Sequence, residues 1–390
     1  MRTREDIEKL ESQILAPFAM KSRDSGGREH AEPQHAVRTC YQRDRDRIIH
    51  SEAFRKLEYK TQVFVIMEGD YYRTRLTHTL EVAQIARTIG RNLQLNEDLI
   101  EAIALAHDLG HPPFGHSGEE ALNEIMQKVG QEFNHNQRSF EIVNRIEKRY
   151  PGFDGLNLSR EVLVGILKHQ TLYDISGLSA QYPEGPTLEA RVVDVADSLA
   201  YLNHDVDDGL KSGCITESDL AESDLWQRAL GSIQDYHAFN PEMRRYQVVK
   251  QLIDMQIKDL LKTTAENLQR LNFSSSEAVK TFTAAKGSEP VVGFSPQMCG
   301  ERDFLQDLLL HKLYYHYRVV RMTSKAKRII NDLFRVYEKD PRQLPYAIYP
   351  RGEDFDQGKR YGIICNYIAS MTDRAAVEEH RKLFDAYTKV

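Results

Sequence analysis

The stretch HDLGHPPFGHSGEEAL, His107–Leu122, decides how this chain of 390 residues is read. It sets His107, His111 and His116 within ten residues, with Asp108 and Glu119 beside them and Gly110 and the Pro112-Pro113 pair between. Neighbours on a regular helix diverge by about 100°, so His107 and Asp108 can face one ion only near a helix end or distortion. Gly110 and the prolines supply such an end. A histidine taken alone is more often a satisfied core or capping residue than a ligand. Three of them crowded against two carboxylates, Phe114 and two prolines favour a chemical site.

Outward from this block the periodicity is helical. Leu99, Ile100, Ile103, Ala104 and Leu105 predict a helix over Asp98–Leu109 that stops at Gly110. Leu76, Leu80, Ala83, Ile89 and Leu93 predict an amphipathic helix over Arg75–Leu95, with His78 inside it. A third helix, Leu188–Asp208, places Asp197, Tyr201, Asp205 and Asp208 on one face. Further helices are expected over Arg160–His169, Arg244–Asn272, Phe304–Glu338 and Arg360–Ser370. Only Gln62–Met67 and Pro290–Phe294 read as short strands, so the expected class is mainly α. Ser22–Gln34, Ile175–Pro186 and Asn272–Gln297 carry the Gly, Ser and Pro of loops, the second of them in the place of a lid. The expected organisation is a polar N-terminal segment (1–40), a catalytic core (41–272) and a C-terminal helical region (273–390) packing on it.

The bulk numbers narrow the function classes. A net charge of -6 argues against a general nucleic-acid binder, although a local basic patch such as Arg318–Arg328 is compatible with it. That segment reads first as a solvated face, and otherwise as a phosphate, effector or nucleic-acid contact. The alternating run Arg43-Asp44-Arg45-Asp46-Arg47 reads first as solvated ion pairs, and otherwise makes Arg43 and Arg47 structural or binding residues. Cys40, Cys214, Cys299 and Cys365 form no CxxC pair and fit a reducing compartment. No apolar run approaches the ~20 residues of a membrane span, and Met1–Leu10 lacks the apolar core of a secretory signal. A cytoplasmic protein without a membrane partner is expected.

His78, His107, Asp108 and Asp197 make a mixed nitrogen and oxygen set. It suits Mn, Fe, Ni, Co, Zn or Mg rather than a thiolate-rich zinc site.

At these residues a family resemblance enters. The H…HD…D pattern occurs together with YQRDRDRIIHSEAFRKLEYKTQVF (Tyr41–Phe64), RTRLTHTLEV (Arg73–Val82), FNHNQRS (Phe133–Ser139) and ADSLAYLNHDVDD (Ala196–Asp208). YRVVRMTSKAKRIINDLFRVY and YIASMTDR follow near the C-terminus. Over most of Tyr41–Arg374 the chain resembles the deoxyguanosine triphosphate triphosphohydrolase family of the HD superfamily. The resemblance implies a helical HD phosphohydrolase fold with an additional C-terminal helical region. It implies metal-dependent hydrolysis of dGTP or several dNTPs to deoxynucleoside and triphosphate, by water attack at the α-phosphorus.

It further implies a dNTP effector and a homo-oligomer as partners; single-stranded nucleic acid is a lesser expectation, attached to the basic segment Arg318–Arg328 and not to the resemblance. His116, with Glu119 three residues on to orient it, is assigned as principal acid/base; His135 shares that task or binds phosphate. His111 and Arg75 are assigned to phosphate, with Lys168 and His169 as weaker candidates. Gln62, Tyr201 and Asp205 are assigned to the sugar and base, and Val63 to crowding a 2′-hydroxyl. Competing readings are an HD nucleotidase or phosphodiesterase acting on another nucleotide, and a nucleotide sensor or single-stranded nucleic-acid binder with a vestigial site.

Overall fold

Most helices begin at a side chain that can accept a hydrogen bond from the first free backbone N–H groups. Thr74, Asn96, Asn134 and Thr187 each accept from an N–H of the first turn of the helix that follows. In the computed structural model, residues 1–62, 73–169, 181–285, 288–350 and 355–389 are described. The helices are, in chain order, α1 (Arg4–Ile14), α2 (Cys40–Ile49), α3 (Glu52–Lys56), α4 (Arg75–Asn92), α5 (Glu97–Ala106) and α6 (Gly115–Gln127). They continue with α7 (His135–Glu141), α8 (Arg160–Leu167), α9 (Leu188–Ser212), α10 (Glu217–Leu220), α11 (Asp224–Gly231) and α12 (Pro241–Leu271). The chain closes with α13 (Ser276–Ala284), α14 (Pro296–Leu309), α15 (Tyr317–Lys339), α16 (Gln357–Ala369) and α17 (Asp373–Phe384). Among the described residues extended pairing is limited to isolated bridges, such as Thr61 with Thr74.

Three apolar clusters hold these helices together. The largest joins α4, α5, α8 and α9 through residues such as Ile89, Ile103, Ile166 and Leu199. α4 and α5 pack closely because Gly90 has no side chain: a Cβ there would lie 2.1 Å from Ile100 Cδ1. A second cluster packs α6 against α15, α16 and α17 through Leu122, Ile330 and Ile364. A third gathers the C-terminal half of α9 with α11, α12 and α14 around Trp226 and Leu252. The His107–Leu122 block runs between the first two clusters, from the end of α5 into α6.

Several expectations need correction. Phe304–Glu338 is not one helix: α14 opens into a π turn at Leu310–Tyr314, and α15 restarts after His316, whose ring accepts from Arg318 N–H. The apolar periodicity runs across the break, which is why the sequence reads as continuous. Asn272–Gln297 is not a continuous loop either. Its serine triplet is a helix start, Ser275 accepting from Ala278 N–H, and α13 buries Val279. Pro290–Phe294 forms no strand; Val291 and Val292 lie in a bend and plug the main core. Gln62 sits in a bend, while the rest of Gln62–Met67, Val63 included, and the first half of Ile175–Pro186 fall outside the described residues. The run Arg43–Arg47 is only half solvated: Asp44 is buried against Arg28 at 2.6 Å, and Arg47 donates to Leu156 O at 2.7 Å and pairs with Glu32.

Gly110 shows how tightly the block is held. A Cβ there would lie 2.1 Å from His135 O and 2.3 Å from Ser139 N, both backbone atoms of α7. Backbone cannot yield as a flexible side chain does, so Gly110→Ala must push α7 away. We expect the substitution to cost about 1–3 kcal/mol in denaturant unfolding, and an unchanged midpoint would show that α7 is not braced on this residue.

Candidate active site

Three helices deliver the central groups. His78 projects from the middle of α4; His107 and Asp108 stand at the first turn beyond α5, which ends at Ala106; Asp197 projects from α9. α4 packs along both α5 and α9, so the four side chains converge in the main core. His78 Nε2 lies 2.9 Å from Asp197 Oδ1 and 3.9 Å from Asp108 Oδ2. His107 Nε2 lies 3.5 Å from Asp108 Oδ1 and 3.6 Å from Asp197 Oδ1. Donors about 2.1 Å from a common ion stand roughly 3–3.5 Å from each other, so the set matches the span of one coordination sphere.

The histidine orientation points the same way. His107 Nδ1 faces Ala104 O at 2.6 Å, which puts the proton on Nδ1 and leaves Nε2 as a lone pair. That buried Nε2 has no hydrogen-bond partner. Burial opposes ionisation of Asp108, but the Arg75 guanidinium, then His107 and His111, hold its carboxyl well below the usual range. Asp197 is likewise held low against burial by His107, His169 and His78. Burial opposes the charged form of His107, yet the two carboxylates raise its pKa. Two ionised carboxylates in the core demand a cation, and the His/Asp cluster can hold a metal ion.

Beside this cluster lies a second group. Arg75 is fully buried and donates from Nη1 to Asp108 Oδ2 at 2.9 Å, while Nε and Nη2 have no partner. His111 Nε2 sits 3.1 Å from Asp108 Oδ1, and its ring stacks on His135 with centroids 3.9 Å apart. Burial, reinforced by Arg75 and His135, pushes the His111 pKa well down, so this ring is neutral. Glu119 Oε1 accepts from the His135 backbone N–H and ring Nδ1, each at 2.8 Å. Its other oxygen faces His116 Nδ1 at 3.7 Å and His111 Nδ1 at 3.9 Å. Glu119 is therefore bonded to His135 and only near His116, whose side chain is 52% exposed.

His116 meets Tyr201 edge-on at 5.8 Å. Tyr201 O–H and Tyr314 O–H are hydrogen-bonded, and Tyr314 donates to Asp205 Oδ2 at 2.5 Å. Asp205 Oδ1 and Gln62 Oε1 are buried without partners. The structure thus gathers His78, His107, Asp108, Asp197, Arg75, His111, His116, Glu119, His135, Tyr201, Asp205 and His169 around one region, with Gln62 beside Gly115. Lys168 points away from it, donating to Glu184 O at 2.5 Å. The basic segment Arg318–Arg328 lies elsewhere, with Arg318, Arg321 and Arg328 exposed.

The HD domain family matches residues 75–202, the span from α4 to α9 that supplies all four central groups, and the phosphohydrolase-associated domain family matches residues 292–382. The deoxyguanosinetriphosphate triphosphohydrolase-like protein of Geobacter metallireducens is 49% identical over 380 residues, 96% of each chain. Those of Geobacter sulfurreducens and Ralstonia pickettii are 47% and 48% identical, covering 99% of each chain and 95% and 94% of the two chains respectively. This chain belongs to the deoxyguanosinetriphosphate triphosphohydrolase-like family. It is an HD-domain hydrolase with a C-terminal helical region. Among the described residues no helix is long and apolar enough to cross a membrane.

Around the HD site of this family member stand residues that sequence reading missed or underrated. His204 Nδ1 lies 3.2 Å from His78 Nδ1, and its Nε2 pairs closely with Glu81. Burial lowers its pKa to about 4, so the ring is neutral. His169 Nδ1 pairs with Asp194 at 2.6 Å and its Nε2 lies 3.3 Å from Asp197. Tyr314, the last residue of the π turn, donates to Asp205. A signal existed for His204, seven residues beyond Asp197 and so on the same helix face. None existed for Tyr314, because a π turn has no pattern of its own.

Burial raises the Asp205 pKa to about 8. Its unfolded value is about 3.9, so the stability associated with its protonated form is complete below that value and is lost as pH climbs towards about 8. Asp205→Asn removes this loss while keeping an acceptor for Tyr314. The melting temperature of the variant relative to the parent is expected to rise from pH 5 to pH 8 and level off above; a flat difference would place Asp205 in a wetter setting.

Proposed function

We propose that the chain hydrolyses deoxynucleoside 5′-triphosphates to deoxynucleoside and intact triphosphate. The observation that carries this reading is the junction of the His/Asp cluster with Arg75, whose buried guanidinium keeps an unpartnered edge beside Asp108. A guanidinium half spent on a ligand carboxylate and half free is suited to an anion bound at the same ion. A divalent ion held by His78, His107, Asp108 and Asp197 supplies Lewis acidity for the phosphoryl oxygens and for water.

The rest of the work falls to the chain. Arg75 binds the phosphate oxygens and fixes the α-phosphorus against the cluster, while neutral His111, its one N–H spent on Asp108 Oδ1, holds that carboxylate in place. Water adds its oxygen to that phosphorus as the bond to the 5′-oxygen breaks; the 5′-oxygen takes a proton from His116, and the proton the water gives up passes to solvent, from which the half-exposed His116 ring is reprotonated. Glu119, anchored through Oε1 by His135, sets Oε2 3.7 Å from His116 Nδ1 and so orients the ring. The net transfer is one hydroxyl to phosphorus and one proton to the sugar. Tyr201, Asp205 and Gln62 form the deoxyribose side, with unpartnered Asp205 Oδ1 and Gln62 Oε1 as hydrogen-bond partners for a sugar hydroxyl.

The test is product analysis by ion chromatography with each dNTP and rNTP, alone and in pairs, across Mn, Mg and Co. Triphosphate release from dNTPs is expected; pyrophosphate or orthophosphate in its place would move the chain to another HD nucleotide hydrolase, and no turnover in any combination would favour a binding protein. His107→Ala is expected to reduce turnover to background. His116→Ala should lower kcat by about 10²–10⁴-fold, the usual share of a general acid, and a wild-type kcat would remove His116 from the reaction.

A further inference from the structure

His78 has two ring nitrogens, and both are engaged. Nε2 faces the centre, 2.9 Å from Asp197. Nδ1 faces His204 Nδ1 at 3.2 Å. His204 Nε2 pairs with Glu81 Oε2, and Glu81 Oε2 also accepts from Arg73 Nε at 3.1 Å. Arg73 is fixed in turn by Asp207 at 2.7 Å and Asp208 at 3.1 Å. The row runs Arg73, Glu81, His204, His78 and ends at the ion cluster.

The tautomers along this row follow from the acceptor at each end. If His78 Nε2 gives its lone pair to a cation, its only proton is on Nδ1. That N–H must then donate to His204 Nδ1, which has to be a bare acceptor. The His204 proton is consequently on Nε2, where the Glu81 carboxylate, an acceptor only, receives it. Every site has one partner of the right kind and none is left over. A metal-bound histidine usually gives its second N–H to a carboxylate or carbonyl, and His107 does so directly with Ala104 O. Among the described residues, the hydrogen bond of His78 Nδ1 is to His204, and an acceptor of that kind is reached through it.

We infer that Glu81 and His204 form a two-residue relay that holds His78 in the tautomer and orientation needed to bind the ion, and that they are positioning residues for metal affinity. The inference rests on the reading of His78 as an ion ligand. Glu81 stands one turn beyond His78 on α4 and His204 two turns beyond Asp197 on α9, so the relay also ties together the two helices that supply opposite sides of the cluster.

Titration of Mn(II) into the metal-free full-length protein by calorimetry tests it. His204→Ala is expected to weaken Mn(II) by about 10–100-fold, and Glu81→Gln to weaken it in the same direction. His204→Asn, whose Oδ1 stands near the place of the lost Nδ1, should recover part of the affinity. A purely structural role would lower the melting temperature of the metal-free protein and leave Mn(II) affinity untouched. Wild-type affinity in folded His204→Ala, alongside loss in His78→Ala, would overturn the relay alone. Wild-type affinity in His78→Ala would overturn the ion-site reading beneath it. If His204→Ala does not fold, Glu81→Gln decides: its carboxyl is 43% exposed, and unchanged Mn(II) affinity there refutes the relay.

Discussion

Two carboxylates, Asp108 and Asp197, are placed in the main core within 4 Å of the same two imidazoles. Removing such groups from water costs several kcal/mol each unless charge and hydrogen bonds compensate. Much of the surrounding structure is that compensation. Arg75 is buried to meet Asp108, and His169 with Asp194 stands behind Asp197. The end of α5 at Ala106 brings adjacent His107 and Asp108 to one centre, which no regular helix would do.

The C-terminal region is part of this arrangement rather than an appendage. Asp373, at the start of α17, is buried and accepts from Phe114 N–H at 2.9 Å and Thr61 N–H at 3.0 Å. Phe114 needs that anchor because it enters α6 with φ of 65°, a conformation costly for a bulky residue. Lys60 adds a second tie, donating to His111 O at 2.5 Å and reaching Ala369 O at 3.4 Å. The backbone that presents His111 and His116 is thus set in part by Asp373 and Ala369, more than 200 positions away in sequence.

How much of this was legible follows from the range of each interaction. Helices α4, α5 and α9 were readable because capping and apolar spacing are local. The break after Leu309 was not, since a π turn preserves apolar spacing while it shifts which residue faces inward. The convergence of His78, His107, Asp108 and Asp197 was readable as a motif and not as a geometry. Glu119 was chosen for its spacing to His116, three residues away; its firm bond is to His135, sixteen residues away, which no helical periodicity encodes. His204 lies inside the stretch Ala196–Asp208 that carries Asp197. Its importance depends on the packing of α4 against α9.

The unpartnered buried atoms make the strongest link between these observations and the proposed reaction. Leaving a buried polar atom unmatched costs about 1–3 kcal/mol, and proteins seldom leave several of them together. Here Arg75 Nε and Nη2, His107 Nε2, His111 Nδ1, Gln62 Oε1 and Asp205 Oδ1 are all unmatched. They sort by chemistry. A lone pair on His107 suits a cation, the donors on Arg75 suit phosphate oxygens, and the oxygens on Gln62 and Asp205 suit hydroxyls. A ligand that is only a phosphate would leave those two oxygens unmet, and a neutral sugar would leave Arg75 unmet. An ion with a nucleoside phosphate across it satisfies all three kinds at once, and the fold holds these groups in place against the cost of their exposure to one another.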